Sequence, residues 1–270
     1  MASLTLIGAV TYDSIVCTKF SECGFTASEG LPLVKPWELL GEWRTPDGTL
    51  LALTRRDRQY VILADGQSLM SNLMHGSEEA LATIGCRHLG TAERPSVLVG
   101  GLGMGFTLRA TLDVLGAEAE VVVAELLPAV IEWNRGPLGK LANHPLNDRR
   151  VSLVVGDVTD TLKSSHNRFD AVLLDVDNGP DAFTAPTNDL LYGDAGLAAI
   201  RGALTSEGVV GVWSARPDRK FEQRLRYGGF DVEVERVRAR LGKGGPRHTI
   251  FFGRKRRGYF VRESSSSHRA

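Results

Sequence analysis

The residues best suited to chemistry are a glycine turn and three acids that follow strands. The turn is Val99-Gly100-Gly101-Leu102-Gly103-Met104-Gly105. It lies between a strand and a helix, where glycines permit a tight bend and let backbone N–H groups and a helix N-terminus approach a ligand. Glu125 ends the next strand, 20 positions after Gly105, and an acid there can accept both hydroxyl hydrogens of a ribose. Asp157 follows the run Val151 to Gly156 and is placed to accept from an adenine amino group. Asp175 ends Ala171-Val172-Leu173-Leu174 and opens Asp175-Val176-Asp177-Asn178-Gly179-Pro180. Ligands of open α/β sheets bind beyond the carboxyl ends of the strands, so Glu125, Asp157 and Asp175 are expected to share one crevice. Each acid alone reads better as a surface or turn carboxylate. Three in succession beside a glycine turn point to a nucleoside site.

Two cofactor classes use this layout. A dinucleotide fingerprint needs a small residue at the sixth position of Gly-x-Gly-x-x-Gly/Ala, and counting from Gly101 that position is Phe106. The spacing Gly101-x-Gly103-x-Gly105 suits the nucleoside turn of S-adenosylmethionine (AdoMet) enzymes instead, where no pyrophosphate need be cradled.

The elements that must position these residues are legible in the apolar pattern. Trp37 to Arg44 and Thr49 to Thr54 read as strands joined by the turn Thr45-Pro46-Asp47-Gly48, and Tyr60 to Ala64 as a third strand closed by Asp65-Gly66. A helix is expected from Gly76 to about Leu89, with Ser77 as its cap and Glu78 and Glu79 complementing its dipole. Buried strands follow at Val97–Val99, Glu120–Glu125, Val151–Val155, Phe169–Leu174 and Gly208–Trp213. Helices are expected at Phe106–Leu115, Leu127–Asn134, Asp189–Leu204 and Arg219–Tyr227. Val232–Arg238 and His248–Phe252 form a closing antiparallel pair. Continuous apolar strands separated by helices indicate a doubly wound, mostly parallel α/β sheet, preceded by a small antiparallel β sub-domain. The expected organisation is an N-terminal extension over 1–34, the β sub-domain with its linking helix over 35–90, the nucleoside-binding domain over 91–253 and a basic, Ser-rich tail over 254–270.

Composition narrows the function classes. Lys plus Arg and Asp plus Glu are both 32 of 270 residues, so the formal net charge is zero. Such a chain is poorly suited to sequence-independent binding of nucleic acid or anionic membrane. A solvated strand face accounts for Arg236, Arg238 and Arg240 without a partner. Cys17, Cys23 and Cys86 form no C-x-x-C, which with the odd count implies reduced thiols and no metal site. No apolar run approaches a membrane span, and a soluble, cytoplasmic protein is expected. Trp133 and Trp213 read as core or lining residues, and Tyr192 as flanking the pocket or packing a helix. His75 and His248 stand in no recognisable nucleophile motif, so no triad is expected.

From about Trp37 to Gly253 the chain resembles the spermidine synthases (polyamine aminopropyltransferases). The resemblance rests on the small β sub-domain ending in Asp65-Gly66, the turn Gly100 to Gly105 and the strand ending at Glu125. It continues through Asp148-Arg149-Arg150-Val151, Gly156-Asp157, the Asp175 loop and Leu190-Leu191-Tyr192. It implies a class I methyltransferase fold, with AdoMet or decarboxylated AdoMet as donor substrate, no metal and an amine as acceptor. By position, Gly100, Gly101, Gly103, Gly105 and Glu125 would hold the donor, Asp157-Val158 would meet its adenine, and Asp175 would be the catalytic carboxylate with Asn178 assisting. The resemblance and the open edges of the small sheet together imply a homo-oligomer. The departures concern the substrate: Gly103 stands for the family's ammonium-binding Asp, Asn178 for its second catalytic acid, and Ser71 to Glu79 lack its acidic pair and Tyr. A methyltransferase, or a non-catalytic nucleoside-binding protein of the same fold, are the alternatives.

Overall fold

A computed structural model of the 270-residue chain describes residues 35–176, 180, 191–240 and 244–258. The start of the expected Asp189–Leu204 helix, and Asp177, Asn178 and Gly179, lie outside the described residues.

The first sheet is antiparallel and holds β1 (Glu38–Arg44), β2 (Leu50–Arg56), β3 (Gln59–Ala64) and β4 (Gln67–Ser71) in sequential order. Three strands were expected here, and β4 is the fourth. Asp65 and Gly66 both take positive φ, 47° and 79°, and so make the tight hairpin turn that returns the chain as β4. Helix α1 (Gly76–Cys86) follows, then β5 (Ser96–Gly100), α2 (Phe106–Val114), β6 (Glu120–Glu125) and α3 (Pro128–Arg135). The chain continues through β7 (Val151–Val155), α4 (Val158–Lys163), β8 (Phe169–Leu174), α5 (Asp194–Ala203), β9 (Leu204–Ser214), α6 (Arg219–Tyr227), β10 (Phe230–Arg238) and β11 (Arg247–Lys255). Helix α4 escapes the apolar pattern because it is only six residues long. Pro128 occupies the first turn of α3, where its missing N–H costs nothing.

The second sheet has the order β10-β11-β9-β8-β5-β6-β7. β9, β8, β5, β6 and β7 are parallel, and β11 enters antiparallel between β9 and β10. Alternate residues of β5, β6 and β8 enter two different cores. Val97, Val99, Val121, Val123, Ala171 and Leu173 join one, and Leu98, Val122, Ala124, Val172, Leu174 and Val210 the other. That alternation explains why the strands read as unbroken apolar runs. The first core also contains Leu51, Leu53, Tyr60 and Ile62 of the small sheet, and residues 36–270 form one unit. Gly41 of β1 leaves room for Trp133 of α3, since a Cβ there would lie 2.7 Å from the indole nitrogen. Tyr192 is buried and packs edge-on against Phe221, as the packing alternative expects. Among the described residues no helix is long and apolar enough to cross a membrane.

Arg150 ties the C-terminal end of α2 to the approach of β7. Its guanidinium donates to the carbonyls of Leu112, Leu115 and Gly116 at 2.9–3.2 Å and pairs with Asp148 at 2.8 and 2.9 Å. These bonds hold the Asp148 carboxyl down to about 2. Truncation strands the helix-end carbonyls. Arg150→Ala is expected to cost about 2 kcal/mol, a hydrogen-bonded charge being lost, and to lower the melting temperature by roughly 5 °C for a unit of this size. Because the native carboxyl value is depressed, its contribution is full above about pH 4 and lost as pH falls towards 2. The gap between variant and wild type, followed by thermal melts, should therefore narrow in acid.

Candidate functional site

Chain direction places the candidate acids along one edge of the second sheet. From β5 the chain steps outward to β6 and β7, then returns to β8 on the other side of β5. This reversal is a topological switch point, where the connections on either side diverge and leave a crevice. Gly100 pairs with Leu174 across the two strands, and the Asp175 N–H donates to the Gly100 carbonyl at 2.8 Å. The glycine turn and the Asp175 loop thus leave the sheet side by side.

The glycines answer to two demands. Gly101, Gly103 and Gly105 have φ of 86°, 51° and 86°, a region open to glycine at little cost. Gly101 also faces the Asp175 carbonyl so closely that any side chain would collide with it. A Cβ on Gly105 would lie 3.0 Å from Asn134 Oδ1. Gly103 is roomier, with the Met70 sulfur of β4 as its nearest neighbour at 3.5 Å from a Cβ position. Two side chains hold the turn in shape. Glu125 accepts from the Leu102 N–H through Oε2 and from the Leu127 N–H through Oε1, both at 2.8 Å. Buried Asn134 donates from Nδ2 to the Gly103 carbonyl at 2.8 Å. Glu125 is 7% exposed, and this burial raises its carboxyl value even though backbone N–H groups oppose the rise. Next to it Leu126 is 60% exposed, an apolar surface beside a buried acceptor.

Asp157 and Val158 divide their expected role. Asp157 is exposed and caps α4, Oδ1 accepting from the Thr159 N–H at 2.7 Å. Val158 is buried, and its side chain packs against Gly100.

Asp175 accepts from the Thr107 hydroxyl of α2 at 2.6 Å. Burial pushes its carboxyl up to about 6, against the pull of that hydrogen bond. A second carboxylate acts on it. Glu78, in the first turn of α1, is pushed up to about 8 by burial and then by the Asp175 charge. Glu78 was expected only to complement a helix dipole, and Ser77 to cap that helix. The helix begins after His75 with no side-chain cap, and Ser77 Oγ donates to Glu78 Oε2 at 2.9 Å and meets His248 Nδ1 at 2.8 Å. His248 thus has the serine partner that no motif disclosed. Its ring meets Trp213 edge-on at 4.7 Å between centroids. His75, bonded to Glu79 at 2.8 Å, stacks on Phe106 at 4.1 Å. Asp175, Glu125 and the glycine turn are brought together, and Glu78, Thr107, Ser77, His248 and Asn134 are added. The rest of the Asp175 loop lies outside the described residues.

Both members of the Glu78–Asp175 pair sit above the ordinary carboxylate range near 4. A raised native value means the stabilising contribution is complete below about pH 4 and lost as pH rises through 6 and 8. Glu78→Gln cannot ionise. Its urea midpoint is expected to gain on the wild type as pH rises from 5 to 8; a difference that stays constant with pH would remove the buried-charge assignment.

No family model matches the chain. A polyamine aminopropyltransferase of Saccharolobus solfataricus is 28% identical over 187 residues, covering 68% of this chain and 60% of that protein. One from Saccharolobus islandicus is 28% identical over 127 residues, 47% of this chain and 41% of that protein. The chain thus matches about half the length of these curated relatives. Among solved structures, spermidine synthase from Thermotoga maritima superposes with a TM-score of 0.64 at 18% identity, covering 80% of this chain and 72% of that one. A spermidine synthase in complex with the transition state analogue AdoDATO gives 0.63 at the same identity and coverage. A probable spermidine synthase from Corynebacterium glutamicum gives 0.55 at 16% identity, covering 79% of each chain. The fold is that of the spermidine synthases, and by sequence and by fold the chain is spermidine-synthase-like.

Proposed function

We propose that the protein is a spermidine-synthase-like transferase that moves an aminopropyl group from decarboxylated AdoMet to an amine. The observation that carries this reading is the placement of buried Asp175 against the glycine turn that Glu125 clamps. Each Glu125 oxygen uses one lone pair on a backbone N–H, which leaves another for a ribose hydroxyl. Leu126 offers an apolar surface for a base. The printed names of the relatives and of the solved structures describe the same chemistry.

The sulfonium of the donor supplies the leaving group. An amine attacks a carbon beside that sulfur, the N–C bond forming as the C–S bond breaks with its electron pair passing to sulfur. The amine must be neutral to attack, so a base must take a proton. Asp175, at about 6, is ionised at neutral pH and close enough in pKa to act in either direction. Thr107 fixes its orientation, and close placement of nucleophile and carbon supplies much of the rate. The chain holds Gly103 with a Met70 neighbour where the resemblance places an acid for the donor's ammonium, and this favours methyl transfer from AdoMet as the second reading.

Incubation with both donors and a panel of amines, followed by identification of the nucleoside product, tests the proposal. Methylthioadenosine is the expected product, and S-adenosylhomocysteine would install the second reading. Methylthioadenosine itself should raise the melting temperature by binding the native state, and Glu125→Ala should abolish most of that rise. Asp175→Asn should lower kcat by about 10²–10⁴-fold with donor affinity kept, the range of general-base catalysis. Undiminished turnover in Asp175→Asn would end its catalytic assignment.

A further inference from the structure

We propose that Ser77 and His248 form a proton relay behind Glu78, through which the proton surrendered by a cationic acceptor amine leaves the pocket. This rests on the transfer reading above and extends it to residues outside the expected site. Ser77 is fully buried. Its hydroxyl lies 2.9 Å from Glu78 Oε2 and 2.8 Å from His248 Nδ1, so one oxygen bridges the two titratable groups.

A hydroxyl has one hydrogen to give. When Glu78 is ionised, Ser77 donates to it and His248 must donate from Nδ1. When Glu78 is protonated, it can donate to Ser77, and Ser77 can donate to a bare Nδ1. The charge of Glu78 therefore selects the tautomer of His248, and a proton arriving at Glu78 can emerge on the imidazole. The step balances: an ammonium acceptor loses one proton, the carboxylate pair receives it, and the imidazole passes it on as the N–C bond replaces the C–S bond.

The surrounding groups suit the task. Asp175, just after β8, and Glu79 of the same helix both raise Glu78, and α2 faces Asp175 with the Thr107 hydroxyl. His75 is engaged by Glu79. On β11, burial lowers His248 and disfavours its imidazolium, so a proton entering at one ring nitrogen must leave from the other. Trp213 of β9 closes its edge, and the buried indole nitrogen has no hydrogen-bond partner among the described residues.

The test uses the full chain with ¹⁵N-labelled histidine, the His248 signals being assigned with His248→Asn. In the wild type, His248 should change from the Nε2–H to the Nδ1–H tautomer as Glu78 ionises near pH 8. Glu78→Gln and Ser77→Ala should each abolish this change; one that persists in both, or is absent from the wild type, overturns the relay whatever the turnover assay gives. Where the wild type turns over 1,4-diaminobutane, His248→Asn keeps a polar contact to Ser77 but cannot carry a proton. It should lower kcat about 10²-fold, the lower end of acid–base effects, and displace the pH profile while donor KM is unchanged. An unaltered profile would overturn the kinetic role. A tautomer change without any nucleoside product would sustain the coupling and overturn the transfer reading instead.

Discussion

The closeness of two backbones at the carboxyl ends of β5 and β8 governs the site. The Asp175 N–H donates to the Gly100 carbonyl at 2.8 Å, and the Asp175 carbonyl fills the space where Gly101 would carry a side chain. Gly100 itself has no room, since a Cβ would lie 2.9 Å from both Leu174 and Val158. The turn can run beside the Asp175 loop only because both residues lack a Cβ. Two further site contacts follow from that approach: Thr107 reaches Asp175 because α2 starts directly after the turn, and Glu125 reaches the Leu102 N–H because β6 is the next strand over.

Much of this was legible because it is local. The strands Glu120–Glu125, Val151–Val155 and Phe169–Leu174 match their apolar runs to the residue; the first and last do so because strands buried on both faces have no polar alternation to blur their limits, whereas Val151–Val155 is an edge strand with Val154 and Val155 exposed. The acids that end or follow them come with the strand boundaries. β4 was illegible because Gln67 and Ser68 break the apolar signal, and its pairing with β3 is irregular between Ile62 and Leu63. The pair Ser77 and Glu78 was read through local helix chemistry, as cap and dipole partner. Ser77 meets His248 of β11, 171 positions along the chain, and Glu78 feels the charge of Asp175, just after β8. No spacing rule reports such a contact.

Small-sheet residues behave in the same way. Leu51, Leu53, Tyr60 and Ile62 look in sequence like the inner face of an independent meander. In the fold they complete the core that α1, α2 and α3 share with the parallel sheet. The sheet also sends Met70 towards Gly103, so it packs the core and touches the site at once. Its fourth strand is the one that makes the second contact possible.

The site's carboxylates occupy three electrostatic situations, and these sort their chemistry. Asp157 is exposed and spends an oxygen on a helix N-terminus, an arrangement that fixes geometry. Glu125 is buried but meets backbone N–H groups from both sides, so its charge is opposed by burial and supported by dipoles that cannot move away. That combination suits a hydrogen-bond acceptor whose protonation state should not change during a reaction. Asp175 has one hydroxyl and Glu78 another, and the Asp175 charge also bears on Glu78. Two buried acids so placed cannot both ionise cheaply, and the proton that Glu78 keeps is the easiest one in the site to exchange. The environments thus suit different acids to binding and to proton transfer: Glu125 is held mainly by backbone N–H groups from two sides, and the other pair mainly by hydroxyls.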